Sequence, residues 1–198
     1  WSLARIRTKE GAGIIRLAFG SPFVQVQQAG AYVCGLERDG ESMSGLMSLL
    51  KSPHPAIRRE AATALGRLGR KEACEALLAC QPADRFLEHA IIYALIEINS
   101  PEALRYSLSR KDDAGRPASH AMRVMWALES MSGAKLQPEE AIALISNDTP
   151  VLPILERHPE WGPELAAYYE TFLRSQTGLA EQEGRQDHCL NEFLHWPE

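Results

Sequence analysis

Five basic side chains, Arg58, Arg59, Arg67, Arg70 and Lys71, crowd one short stretch of this chain. Arginine and lysine gathered on one face can neutralise phosphate, and that is the first chemistry the sequence offers. Tracking a nucleic-acid backbone takes basic residues at matching places along the chain. Those places hold Gln27–Gln28, Glu88–His89 and Ser119–His120 instead. The cluster therefore reads as a solvated helix face, and no nucleic acid is expected as a partner.

A second candidate is His188, Glu192 and His195, at i, i+4 and i+7, where one helix could present three metal ligands. They fall opposite Leu190, Phe193 and Leu194, so the same helix would turn them to water, and no fourth ligand accompanies them. Asp187, His188 and Cys189 combine acid, base and thiol, but consecutive helical residues diverge by about 100°, which denies them a shared target. Glu88 and His89 sit inside a core helix pattern and read as a buried hydrogen bond, with Arg85 or through the imidazole, that locks helix stacking. In Arg157-His158-Pro159-Glu160-Trp161 the proline marks a helix stop and the tryptophan a packed side chain. Trp126 reads as core, and Tyr168–Tyr169 opens no cofactor motif. The expectation is a chain with no catalytic, cofactor-binding or metal-binding residue of its own, and no cofactor.

The bulk properties fit that reading. The chain has 198 residues, 45% hydrophobic and 24% charged, enough for one large domain or two small ones. No apolar run approaches the roughly 20 residues that cross a bilayer, so no transmembrane segment is expected. The formal net charge of -5 is concentrated at the end, where Glu181, Glu183, Asp187, Glu192 and Glu198 face Arg185 alone. Cys34, Cys74, Cys80 and Cys189 form no C-x-x-C pair and no C-x-x-C-H haem attachment. The chain opens on Trp1 without methionine, basic leader or cleavage signal, and is expected to be a piece of a longer protein.

What positions these residues is a repeat. Ile57, Ala61, Ala64, Leu65 and Leu68 follow the apolar face of a helix, and Leu87, Ile91, Ala94, Leu95 and Ile98 occupy the same five places further on. Val124, Ala127, Leu128 and Met131 give the last four again, Val26, Val33 and Cys34 stand upstream, and Leu3 and Ile6 before those. The anchors Leu3, Cys34, Leu65, Leu95 and Leu128 are spaced by 31, 31, 30 and 33. A shorter apolar pattern lies between anchors each time, as in Leu46–Met47–Leu49–Leu50 or Ala73–Ala76–Leu77–Leu78. The breaks are turn-rich, and Pro22, Pro55, Pro117 and Pro150 are placed at the first turn of the following helix, where a missing N–H costs nothing.

Each unit is thus a helix, a turn and a second helix, and stacked units share one core. The fold class is all-α, an α-α superhelix of antiparallel helix pairs with C-terminal capping helices. Residues 1–160 are expected to form the solenoid, about five units with the first partial, and residues 161–198 the cap. A helix over about 163–176 should turn Leu165, Ala166, Tyr169, Phe172 and Leu173 inward, and residues 186–196 should dock through Leu190, Phe193 and Leu194. Ala61, Ala62 and Ala64 keep the helix while letting its neighbours come close.

The stretch "SPHPAIRREAATALGRLGRKEACEALL" (52–78) resembles HEAT repeats of the phycobilisome-lyase-like type, with Ile57-Arg58 after the turn and the Ala-Leu-Gly-x-Leu-Gly ending. The resemblance covers about residues 1–175. It departs where Ser52 or His54 stands for the usual acidic turn residue. "DRFLEHAIIYALIEI" (84–98) and "ERHPEWGPELA" (156–166) are similar to the HEAT segment of exported planctomycete and verrucomicrobial proteins called membrane-bound dehydrogenase-like. In those, a β-propeller precedes the HEAT region and a c-type cytochrome domain follows it. The resemblance implies a periplasmic or envelope location and a redox parent, with neither haem-binding nor catalytic residues in this segment.

The function expected is a non-catalytic scaffold that docks a protein, or neighbouring domains of its own parent, on its concave face. The alternative is a lyase or chromophore-handling protein, which would need a ligand-sized cleft lined with polar groups from two or more repeats; His89, His120 and an acidic partner in one pocket would favour it. A HEAT-like DNA glycosylase stands third.

Overall fold

The computed structural model describes the backbone of residues 9–110, 119–145 and 151–183, and the side chains of 10–110, 119–145 and 151–175. Leu3, Pro117, Pro150, Cys189 and the residues around His188 lie outside them. No strand occurs among the described residues. The helices are α1 (Lys9–Leu17), α2 (Val24–Leu36), α3 (Met43–Leu49), α4 (Pro55–Leu68), α5 (Cys74–Ala79), α6 (Arg85–Ile98), α7 (Pro101–Ser109), α8 (Ala121–Ser130), α9 (Pro138–Ile145), α10 (Leu152–Leu155) and α11 (Gly162–Glu183). The longer even-numbered helices α2, α4, α6 and α8 pack side by side in chain order, and α1, α3, α5 and α7 back them as a second layer. This is an all-α solenoid of helix pairs.

The helix ends follow from local chemistry. Pro55 and Pro101 open α4 and α7 at positions whose N–H would have had no partner. Asp84 caps α6 by accepting a 2.8 Å hydrogen bond from the Leu87 N–H. Gly69 closes α4 and Asn99 closes α6 in the left-handed region, at φ of 65° and 52°, which those two residue types tolerate best. Pro22 departs from expectation. It precedes Phe23, the N-cap of α2, and so shapes the turn rather than the first helical turn.

The anchors fall in line. Leu65, Leu95 and Leu128 are fully buried in one continuous core, while Cys34 is buried in a smaller adjoining cluster with Ile15 and Val33. Val26, which should match Ile57, is 42% exposed instead.

Small residues set the helix spacing. A Cβ placed on Gly35 of α2 would lie 2.8 Å from the Ala64 Cα of α4, and one on Gly66 of α4 would lie 2.7 Å from the Ala94 Cα of α6. The register is the same twice: the residue after one anchor meets the residue before the next. After Leu95 that place holds Ile96, too large for such contact, and α8 is also the shorter helix with 10 residues. The α6–α8 seam is correspondingly shorter, and a groove opens there.

The terminal cap differs from expectation. α11 runs to Glu183 and packs beside α9, but Ala166, Tyr169, Phe172 and Leu173 are exposed, with Leu165 and Tyr168 half-buried. The expected inward orientation of those four side chains is not what the fold shows.

Two glycine-to-alanine changes test the spacing argument. Gly66→Ala should destabilise the fold by about 1–3 kcal/mol, because the new methyl meets backbone and overpacks the seam. Gly13→Ala, in α1 with no other heavy atom closer than 4.0 Å, should be neutral or stabilise by up to about 1 kcal/mol. Urea unfolding of the two variants measures both.

Candidate functional site

The even-numbered helices leave one side of each turn free, and the positions two residues before successive anchors share it. They are Tyr32, Thr63, Tyr93 and Trp126. Three of four are aromatic, and Tyr93 is 51% exposed. Arginines lie over rings along the same face. Arg67 sits 5.5 Å from the Tyr32 ring centre, Arg59 and Arg85 sit 6.0 and 5.0 Å from that of Phe86, and Arg157 sits 5.1 Å from that of Trp126. Trp126, expected as core, is half-buried: it packs against the core and also walls this face.

Where α6 and α8 part, Arg85, Glu88, His89, Ile92, Met122 and Trp126 line a groove of about 350 Å³, with Pro153 at its edge. Glu88 and His89, expected as a buried hydrogen-bonded lock, are both exposed here. They lie on the solvent side of α6, turned away from the Leu87–Ile91–Leu95 stripe that packs inward.

His120 belongs elsewhere. It lines a pocket of about 590 Å³ on the odd-numbered layer with Cys74, Leu78, Ala103, Tyr106 and Arg110. Its Nε2 is buried without a hydrogen bond, and burial, with Arg123 and Arg110 adding to it, lowers its pKa and keeps the ring neutral. The pairing of His89 with His120 that would have favoured a lyase-like pocket is therefore not formed. His89 and His120 line separate cavities.

The basic cluster also separates. Arg58 donates a 2.8 Å hydrogen bond to the Gln81 carbonyl, tying α4 to the turn before α6. Lys71 opens the turn into α5 on the other layer, where it borders the His120 pocket. Only Arg59 and Arg67 of the five lie over rings on the even-numbered face.

Two features escaped sequence reasoning. Arg123 is buried at 4% exposure and donates to the Cys80 and Leu78 carbonyls at 3.0 and 3.4 Å, satisfying the open end of α5. Burial pulls its pKa down, against the opposing charge of Glu88. The second feature is His158. Its Nε2 and Nδ1 each lie 2.7 Å from a carboxylate oxygen, of Glu129 and Glu160, and its ring stacks on buried Trp161 at 3.8 Å. Burial works against its charge, but the two carboxylates outweigh that and raise its pKa. With both nitrogens engaged, the imidazole has no site left to accept a proton from a nucleophile. The packed tryptophan was legible from sequence. The clasp was not, because Glu129 is remote in the chain.

Cys34, Cys74 and Cys80 are buried and free, and burial pushes the Cys34 and Cys74 thiols up to about 11, which makes them poor nucleophiles. Among the described residues no group of three or more His, Cys, Asp or Glu side chains is arranged to hold a metal ion.

A family model for HEAT repeats matches residues 12–96 and, in a second overlapping placement, 46–123, more than half of the chain together. No curated protein matches it.

The His158 clasp has a pH signature. Its folded pKa is raised above the ordinary value of about 6.5, so its contribution to stability is complete below that pH. That contribution is lost as pH rises through the raised value. Glu160, held below its ordinary value by its hydrogen bond to His158, loses its share only as pH falls through that lowered value. His158→Ala should cost about 1–3 kcal/mol near pH 6 and progressively less at higher pH. Urea melts of both proteins across pH 5–9 would show converging curves.

Proposed function

The chain belongs to the HEAT-repeat family, and from that premise we propose that it is a non-catalytic scaffold whose even-numbered helices dock a partner protein or a neighbouring domain of its own parent. The observation that carries this reading is the in-register row of partly exposed Tyr32, Tyr93 and Trp126, presented by successive helices on a stiff core. A stacked solenoid offers its elongated face as one rigid surface, so a partner can bind with little rearrangement. Aromatic side chains are the anchors such surfaces use most.

The wider context is part of the proposal. The likeness of residues 84–98 and 156–166 to the HEAT region of exported dehydrogenase-like proteins supports a parent in which the solenoid spaces a propeller from a cytochrome, in the periplasm or envelope. No helix among the described residues is long and apolar enough to cross a membrane. A second reading, ligand handling, has one observation in its favour. The pocket beside His120, at about 590 Å³, is within the size range of small-molecule sites.

Photo-cross-linking separates the two faces. A photoreactive residue replacing Tyr93 should capture a defined protein partner or parent domain in cells. The same residue replacing Tyr106, 70% exposed on the opposite layer, should not. Equal capture from both positions, or capture from Tyr106 alone, would refute docking on the even-numbered face. Fractionation of the native full-length protein tests the location, and recovery with cytosolic markers would remove the exported parent.

A further inference from the structure

We propose that the pocket between α5 and α7 binds a small uncharged molecule with an apolar body and a hydroxyl group, the hydroxyl hydrogen-bonded to His120 Nε2. This rests on the ligand-handling reading and deepens it by naming the class of molecule bound.

At about 590 Å³ the pocket has room for a small organic molecule. Buried Cys74 and Leu78 of α5 form part of its wall, and Ala79 and Ala103 add no more than methyl groups to it. The exposed ring of Tyr106 stands beside them. Most of the wall is apolar, so an apolar body gains by leaving water there.

Charge does not select the ligand. Lys71 and Arg110 line the pocket against Glu72 and Glu75, and Arg110 pairs with Glu75 at 3.2 Å, joining α7 to α5. Nothing is left over to offset the cost of desolvating an ion. The buried hydroxyl of Ser107 is already engaged, donating to the Leu104 carbonyl at 2.6 Å. His120 Nε2 differs: among the described residues it is the one buried side-chain nitrogen or oxygen of this pocket that has no hydrogen-bond partner. A buried polar atom left in this state calls for a partner, and a turn of the imidazole, whose outer torsion is soft, brings the nitrogen to the cavity. Arg123 and Arg110 add to burial in keeping the ring neutral, so it does not attract an anion as an imidazolium would. A neutral imidazole nitrogen donates in one tautomer and accepts in the other. A hydroxyl can answer either, whereas a carbonyl answers only one.

The test titrates the full chain with naphthol, naphthalene and naphthoate, each followed by its own fluorescence. Naphthol should bind saturably, at least about tenfold more tightly than the molecule lacking the hydroxyl or the one carrying a charge. Ala103→Trp, which fills the pocket from α7, should abolish that binding. His120 makes no side-chain cap bond to α8, so His120→Phe keeps the helix start. It should weaken naphthol at least about tenfold and leave naphthalene unchanged, while thermal melts show both variants folded. Should His120→Phe fail to fold, Ala103→Trp and the three-molecule comparison still decide. Equal binding of naphthalene would overturn the role of the hydroxyl, and equal or tighter binding of naphthoate would overturn the uncharged class. Either result refutes this inference and leaves ligand handling standing. Naphthol binding that survives Ala103→Trp lies elsewhere and overturns the site. If none of the three binds, this inference and the ligand-handling reading fall together, and the docking face is judged by capture at Tyr93 alone.

Discussion

The distance between neighbouring helices governs this molecule. Gly35 against Ala64 and Gly66 against Ala94 bring α2, α4 and α6 close enough that a methyl group would collide with backbone. Dispersion contacts are short-ranged, so a seam this tight gains far more packing than one spaced by leucines. It also fixes the register of the exposed side. Once consecutive helices are locked at one offset, the residues two places before each anchor must form a row. The aromatic face is therefore a by-product of the core.

Neighbouring elements are held together by side chains that satisfy otherwise unpaired carbonyls. Arg58 reaches the Gln81 carbonyl, Arg123 reaches the Cys80 and Leu78 carbonyls, and the Cys80 thiol donates to the Leu50 carbonyl at 3.6 Å. Arg105 does the same service further on, bonding Glu140 and the Ala134 carbonyl. Short helices such as α5 expose most of their carbonyls, and burying those without partners would be costly. Arg58, one of the basic residues that look like a phosphate-binding cluster in one dimension, becomes a structural donor in three.

Beyond α8 the repeat gives way. α10 is a single turn, and the chain is gathered back by His158, which bridges Glu129 of α8 and Glu160 while stacking on Trp161. A charged clasp replaces an apolar seam there, so this end of the solenoid answers to pH in a way the glycine–alanine seams do not.

The sequence by itself determined the helix pairs, their order and their core stripe. Those depend on periodicity, on prolines at helix starts such as Pro55, and on residues that tolerate left-handed ends such as Gly69 and Asn99, all of them local properties of the chain. It also made the fold recognisable, through the anchors Cys34, Leu65, Leu95 and Leu128. Only the tertiary structure decided which side chains are free. Glu88 and His89 share a helix pattern with core residues yet face solvent, Trp126 is a groove wall, and Tyr169 and Phe172 are exposed. His89 and His120 part company because His89 faces the groove between α6 and α8, whereas His120, at the start of α8, faces the pocket beside α5 and α7. Burial and pairing depend on which helix lies alongside, and contacts between residues some thirty places apart leave no mark in a local pattern.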